Sequence, residues 1–152
     1  MAGSVAPSPT RRRTPVHLWI IGVVTLLWNS IGAVDYLMTH LRVEAYMASF
    51  TPEQMAYFYS FPTWAVGAWA LGVWFSVAGS AALLLRSRWA VYLFGISLVG
   101  LAGTTLYTNL LTDGMAAMGG SIGYVIFSVA IWLIGIGLLV YSIAMTRRGV
   151  LR

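Results

Sequence analysis

Four long uncharged stretches alternate with short polar connections along the chain. They run over Thr14–Val34, Gln54–Leu85, Trp89–Thr112 and Gly114–Thr146 and contain 21, 32, 24 and 33 residues. A helix of about 20 apolar residues is long enough to cross the hydrocarbon core of a bilayer. The pattern therefore predicts four membrane-spanning helices, at about 16–38, 63–85, 89–111 and 121–145.

The longest connection, between the first two predicted spans, carries the signature of a further helix. Thr51 suits an N-cap, Pro52 suits the first helical position, and Gln54 would complete a capping box. The apolar and aromatic residues that follow share one face at helical spacing: Met55, Phe58 and Tyr59. We expect a short amphipathic helix in the outer loop, as an aromatic interface segment or as a lid over a site.

Composition agrees with membrane insertion, because 59% of the 152 residues are hydrophobic and only 9% are charged. Soluble domains carry about 25% charged residues. The predicted fold class is therefore all-α, an integral membrane four-helix bundle formed by residues 16–146. Residues 1–15 are rich in Ser, Pro, Thr and Arg and predict a disordered cytoplasmic tail. Residues 147–152 are expected to form a short cytoplasmic C-terminal tail.

Arginine positions predict the orientation of the four spans. With the N-terminus inside, eight of the nine basic residues lie on the cytoplasmic side: Arg11, Arg12, Arg13, Arg86, Arg88, Arg147, Arg148 and Arg152. All four acidic residues then fall at the outer side. We expect a multi-pass protein of the bacterial inner membrane with both termini cytoplasmic, and we attribute the net charge of +5 to topology and not to nucleic-acid binding. An alternative is a signal peptide cleaved after Gly32, which would remove the first span and leave the orientation of the others unchanged.

The residue inventory excludes several kinds of chemistry. The chain has no Cys and no Lys, so thiolate metal sites, disulfides and Schiff bases cannot form. His17 and His40 are 23 positions apart, about 35 Å along a helix, and cannot share one haem. A single histidine ligating a pigment stays open. No set of residues has the spacing of a metal site or a catalytic group, so we expect neither a cofactor nor enzymatic activity.

A few polar residues inside the spans form the candidate site. Asp35 lies near the outer end of the first span, where an acid is either interfacial or couples a proton or cation. Asn29 lies near the centre, so it needs a buried partner such as Thr104, Thr105 or Asn109, or a polar cavity to line. The remaining candidates for interhelical hydrogen bonds or an outward-facing pocket are Tyr36, Thr104, Thr105, Thr108 and Asn109. Because Asn29 and Asp35 are about 120° apart on a straight helix, we do not expect them to form one site unless Gly32 bends the helix.

Small residues at regular spacing predict where the helices pack. The second span has Ala68, Gly72, Ser76 and Ser80 at intervals of four, and the fourth has Ser121, Ser128, Gly135 and Ser142 at intervals of seven. Such stripes let membrane helices approach closely. They predict contacts within one protomer or between copies of the chain.

Four segments carry a resemblance to a known group of proteins. They are Trp28–Tyr36, Phe50–Gln54, Phe61–Ala65 and Arg86–Ala90. Together they resemble an uncharacterised family of small four-span bacterial inner-membrane proteins, some of which are automatically labelled as sugar transporters. The resemblance implies the four-span fold and supplies no activity or site.

Two functional hypotheses follow, both with the lipid bilayer as a partner. The first is a non-enzymatic accessory or interaction subunit of a membrane complex, held by a protein partner or as a homo-oligomer. The second is a small oligomeric proton- or cation-coupled transporter or exporter that uses Asp35 and Asn29. A dry, packed interior would favour the first hypothesis, and a hydrated cleft lined by both residues would favour the second.

Overall fold

The computed structural model describes residues 14–152, so most of the predicted N-terminal tail lies outside the described residues. Four long helices dominate this part of the chain, and all four are long and apolar enough to cross a membrane. They are α1 (Val16–His40), α4 (Thr63–Leu84), α5 (Trp89–Leu106) and α7 (Ile122–Arg147). A π-helical segment, Tyr107–Leu111, continues α5. The prediction of four apolar helices long enough to span a membrane is confirmed, and their ends lie within two residues of those expected when the π-helical segment is counted with α5.

Three short helices lie in the connections. These are α2 (Glu44–Met47), α3 (Pro52–Tyr59) and α6 (Gly114–Ala117). The capping box that the sequence predicts for α3 is present, because the Gln54 backbone N–H donates to Thr51 and the Thr51 N–H donates to the Gln54 side chain. The membrane side on which α3 lies stays a prediction.

Helices α4 and α5 form the closest pair in the fold. A Cβ atom built at Gly100 would overlap the backbone of Gly72 and Ala68, so only glycine allows this approach. The Ser97 hydroxyl donates to the Gly72 carbonyl at 2.7 Å. Helix α1 also packs against α4, where Gly22 lies against the Leu84 side chain. The small-residue stripe of α4 thus serves two neighbouring helices.

Helix α7 packs more loosely. It contacts α5, where Gly135 lies near Leu98, and it reaches α1 through a 2.6 Å hydrogen bond between His17 and Tyr141. Nearer the start of α7, the Phe127 ring lies 6.2 Å from the Trp28 ring of α1. Space therefore remains between α7 and the other three long helices.

The hydrophobic core lies at one end of the bundle, where α1 and α5 begin and α4 and α7 end. Its buried residues are Leu18, Ala82, Leu83, Ala90, Phe94, Leu138, Met145, Val150 and Leu151. The C-terminal segment is thus partly packed into the core, and not only a tail. Its backbone is fixed by hydrogen bonds from the Arg88 N–H to the Arg152 carbonyl and from the Arg152 N–H to the Arg86 carbonyl.

Candidate intramembrane binding site

Two adjoining cavities lie inside the bundle. The first has a volume of about 470 Å³ and is lined by all four long helices, ending at Phe94 and Leu138 of the core. The second, of about 760 Å³, lies between α5, α7 and the connecting helix α3. Six residues line both: Asp35, Trp69, Leu101, Thr104, Phe127 and Ile131. The interior is therefore cleft-like and closes at the core.

Asp35 lies where the two cavities meet. It is half-buried on α1, seven residues from the middle of that helix, or about 10 Å along the axis. The hydroxyl of Tyr46 on α2 donates a hydrogen bond to its Oδ1 at 2.5 Å. Burial, together with the hydrogen bond to Asp35 and its charge, raises the pKa of Tyr46 to about 12. The short helix α2 is thus fixed to the one acid of α1.

Asn29 lies deeper in the first cavity, and its partners differ from those expected. Its amide group donates to the Ser80 hydroxyl at 2.9 Å and to the Ser76 carbonyl at 3.3 Å, both on α4. These partners lie on α4 and not on the third span, because α1 packs against α4 at this level, and Asn29 also lines the cavity, the other possibility given for it. On a straight helix Asn29 and Asp35 would not share one site. The cavity is wide enough to be lined by both.

The threonines of the third span line the cavities from α5 and its π-helical extension. Thr104 and Thr108 donate to carbonyls of their own helix, at 3.1 and 3.0 Å. Thr105 accepts a 3.2 Å hydrogen bond from the Trp132 indole of α7. Asn109 lines the second cavity but is exposed. The cluster therefore combines an interhelical bond with a cavity wall, the two alternatives that the sequence left open.

Tyr36 is absent from the lining of both cavities. It is buried beside them, stacked on His40 with ring centroids 5.6 Å apart and edge-on to Trp69 at 5.2 Å. It is therefore not part of either cavity wall. The reason is that it follows Asp35 directly, so the helix turns its ring toward α4.

The small residues of α4 and α7 are divided between packing and the cavities. Ala68 and Gly72 contact α5, while Ser76 lines the first cavity and Ser80 is fully buried. On α7, Ser142 is fully buried at the core, and the others lie elsewhere along the helix: Ser128 and Gly135 line the cavities and Ser121 caps the helix.

An aromatic wall at the end opposite the core completes the site, and sequence reasoning did not foresee its role. The wall consists of Phe50, Phe58, Phe61 and Trp69, whose rings contact one another at centroid distances of 5.6 to 6.1 Å. All four line the second cavity. Phe58 and Phe61 come from α3 and its end, so this helix forms part of the cavity wall, and the lid alternative stays a prediction. Only the helical spacing of these aromatics hinted at it.

Two further contacts hold the covering helix in place. The Tyr57 and Thr112 hydroxyls are 2.9 Å apart, and the Tyr107 hydroxyl donates to the Ser60 carbonyl at 3.3 Å. Burial raises the pKa of Tyr57 from its ordinary value. Within residues 14–152, no group of three His, Cys, Asp or Glu side chains is placed to hold a metal ion.

Comparisons with known proteins give no functional information, so the functional argument rests on the cavities. No protein-family model, no curated protein and no solved structure matches the chain.

Proposed function

We propose that the protein is a small transporter or exporter that binds its substrate in the cavities among its four spans. The observation that carries this proposal is that Asn29 and Asp35 line one cavity that ends on a packed core. A closely packed interior without such a cavity would have favoured an accessory role. A site inside a membrane protein, closed at one end and approached from the other, is the arrangement that alternating access requires.

Asp35 is the residue that we assign to proton or cation coupling. Acidic side chains within membrane spans are rare because a charge in hydrocarbon is unfavourable, and they commonly mark an ion or proton pathway. The carboxylate of Asp35 accepts a hydrogen bond from one side chain, the Tyr46 hydroxyl on the short connecting helix α2. Protonation or cation binding at Asp35 would therefore change a contact between α1 and α2.

For topology we propose cytoplasmic termini and a bacterial inner-membrane location. Arg86, Arg88, Arg147, Arg148 and Arg152 lie at the end of the bundle that holds the core, and Asp113 and the connecting helices α2 and α3 lie at the opposite end. This asymmetry supports the positive-inside orientation. The cavities then open toward the outside.

A second candidate is the accessory or interaction subunit, which rests on α7. Its exposed apolar residues form one stripe at helical spacing: Ile126, Val129, Leu133, Ile136 and Val140. A helix of a partner, or of a second copy, could pack there. Val129 and Leu133 of this stripe also line the second cavity, so a helix packed there would cover part of its wall.

Cysteine labelling tests the transport proposal, because the natural chain has no Cys. Thr104→Cys places a thiol in both cavities, and Ala102→Cys places one two residues away, about 3 Å along α5, on the exposed surface outside them. We expect a membrane-impermeant maleimide to label Thr104→Cys at least about tenfold faster, because a thiol in hydrocarbon does not ionise.

The side of labelling tests the topology in the same experiment. Thr104→Cys is expected to react in intact cells with reagent added outside, while Ser142→Cys in the core stays unlabelled. Equal, slow labelling at positions 104 and 102 would contradict a hydrated cavity. Labelling of position 104 only from the cytoplasmic side would contradict the proposed orientation.

A further inference from the structure

We propose that the joined cavities bind a hydrophobic organic cation, with its positive group at Asp35 and its apolar body against the aromatic wall. This inference rests on the proposed transport function and adds the class of substrate. Four features of the cavities carry it: their charge, the direction of their hydrogen bonds, their aromatic surface and their opening.

Charge favours a cation over any other ligand. Asp35 is the only Asp, Glu, Arg, Lys or His residue in the two linings, within the part of the chain that the structure describes. Surroundings of low dielectric constant strengthen the attraction of a carboxylate for a cation well beyond its value in water. An anionic ligand would be repelled and would find no basic partner.

The hydrogen bonds of the first cavity also favour a cation. Three hydroxyl groups donate their protons to backbone carbonyls: Ser76 to Val73, Ser97 to Gly72 and Thr104 to Gly100, at 2.8, 2.7 and 3.1 Å. The Asn29 amide donates to α4, which leaves its carbonyl oxygen to accept. These side chains therefore offer oxygen lone pairs, which attract a positive group or an N–H donor.

The aromatic surface suits the apolar part of such a ligand. Trp69 and Phe127 line both cavities, and Phe50 and Phe58 line the second. The faces of aromatic rings attract cations, and more strongly where water is excluded. Cavities of 470 and 760 Å³ lie in the range of roughly 300–1,000 Å³ that holds drug-sized molecules.

The proposed route for such a molecule lies between α1 and α7, beside the contact of Trp28 with Phe127. Trp28 and Ile31 line the first cavity, yet their side chains are 37% and 68% exposed. The cavity therefore reaches the outer surface of the bundle, at a depth where the protein is surrounded by lipid. A hydrophobic cation that has partitioned into the bilayer can enter here without crossing water.

The test measures binding of two aromatic probes of similar shape to the full-length purified protein by isothermal titration calorimetry. One probe is tetraphenylphosphonium, a cation, and the other is triphenylphosphine oxide, which is neutral. Asp35→Asn removes the charge and keeps an oxygen that accepts from Tyr46. Glu53→Gln is the matched control, because it removes an exposed acid outside both linings.

We expect Asp35→Asn to weaken tetraphenylphosphonium binding at least about tenfold, while Glu53→Gln leaves it unchanged. Binding of the neutral probe should be the same in all three proteins, which also shows that the variants are folded. Equal binding of the cation to wild type and Asp35→Asn would overturn the inference and leave an apolar-solute transporter standing. Failure of both probes to bind would overturn the inference and the proposed cavity function together.

Discussion

At the scale of single residues, the sequence identifies the polar groups more readily than their partners. Asp35 and Asn29 are conspicuous because so few polar side chains interrupt the apolar spans, and both line the first cavity. The partners could not be predicted, since any of three other spans could face Asn29. Spacing along one helix also did not indicate that Tyr36 packs on Trp69 and lies outside both cavity linings.

Tyr46 gives a prediction that can be checked by alkaline titration. Its pKa is raised to about 12 by burial and by Asp35, so its ionisation is disfavoured in the folded protein. Its contribution to stability is therefore present below pH 10 and is lost as the pH rises through 12. The absorbance at 295 nm of wild type minus that of Tyr46→Phe should rise near pH 12. A difference that rises near pH 10 would contradict the contact with Asp35.

At the scale of secondary-structure elements, the long helices follow directly from uncharged apolar runs. The capping box of α3 could also be predicted, because its two residues, Thr51 and Gln54, have a characteristic spacing of three. Two elements had no such signal. The π-helical segment Tyr107–Leu111 depends on how α5 meets its neighbours, and the burial of Val150 and Leu151 depends on a core that forms only in the folded chain.

The contact of α4 with α5 makes a prediction that compares two glycines of one helix. Gly100→Ala places a Cβ against the backbone of Gly72 and Ala68, whereas nothing lies within 4 Å of a Cβ at Gly95. We expect Gly100→Ala to lower the free energy of unfolding by about 1–3 kcal/mol. Gly95→Ala should be neutral or stabilising by up to about 1 kcal/mol, because alanine favours helix.

Unfolding in mixed micelles with increasing sodium dodecyl sulfate, followed by circular dichroism, provides the measurement for both variants. Gly95→Ala is the control for the propensity of alanine within the same helix. Equal stability of the two variants would show that α4 and α5 are not held at the close approach described for Gly72 and Gly100.

At the scale of the whole molecule, the main feature is the contrast between the two ends of the bundle. One end contains the core and the bonded C-terminal segment, and the other contains the cavities and the aromatic wall. The sequence indicates the charge asymmetry of these ends but not the cavity. The volume of the cavity depends on the loose packing of α7. This could not be predicted, because small residues at regular spacing indicate close approach for α7 as much as for the other helices.

The central claim is that this cavity moves a hydrophobic cation by using Asp35. The most direct measurement is uptake of ethidium into proteoliposomes that enclose DNA, followed by fluorescence under an imposed pH gradient that is acidic inside. We predict accumulation by wild type and Glu53→Gln as protons leave, and only the rate of protein-free liposomes for Asp35→Asn. Equal uptake by wild type and Asp35→Asn, or uptake that is independent of the gradient, would contradict the account.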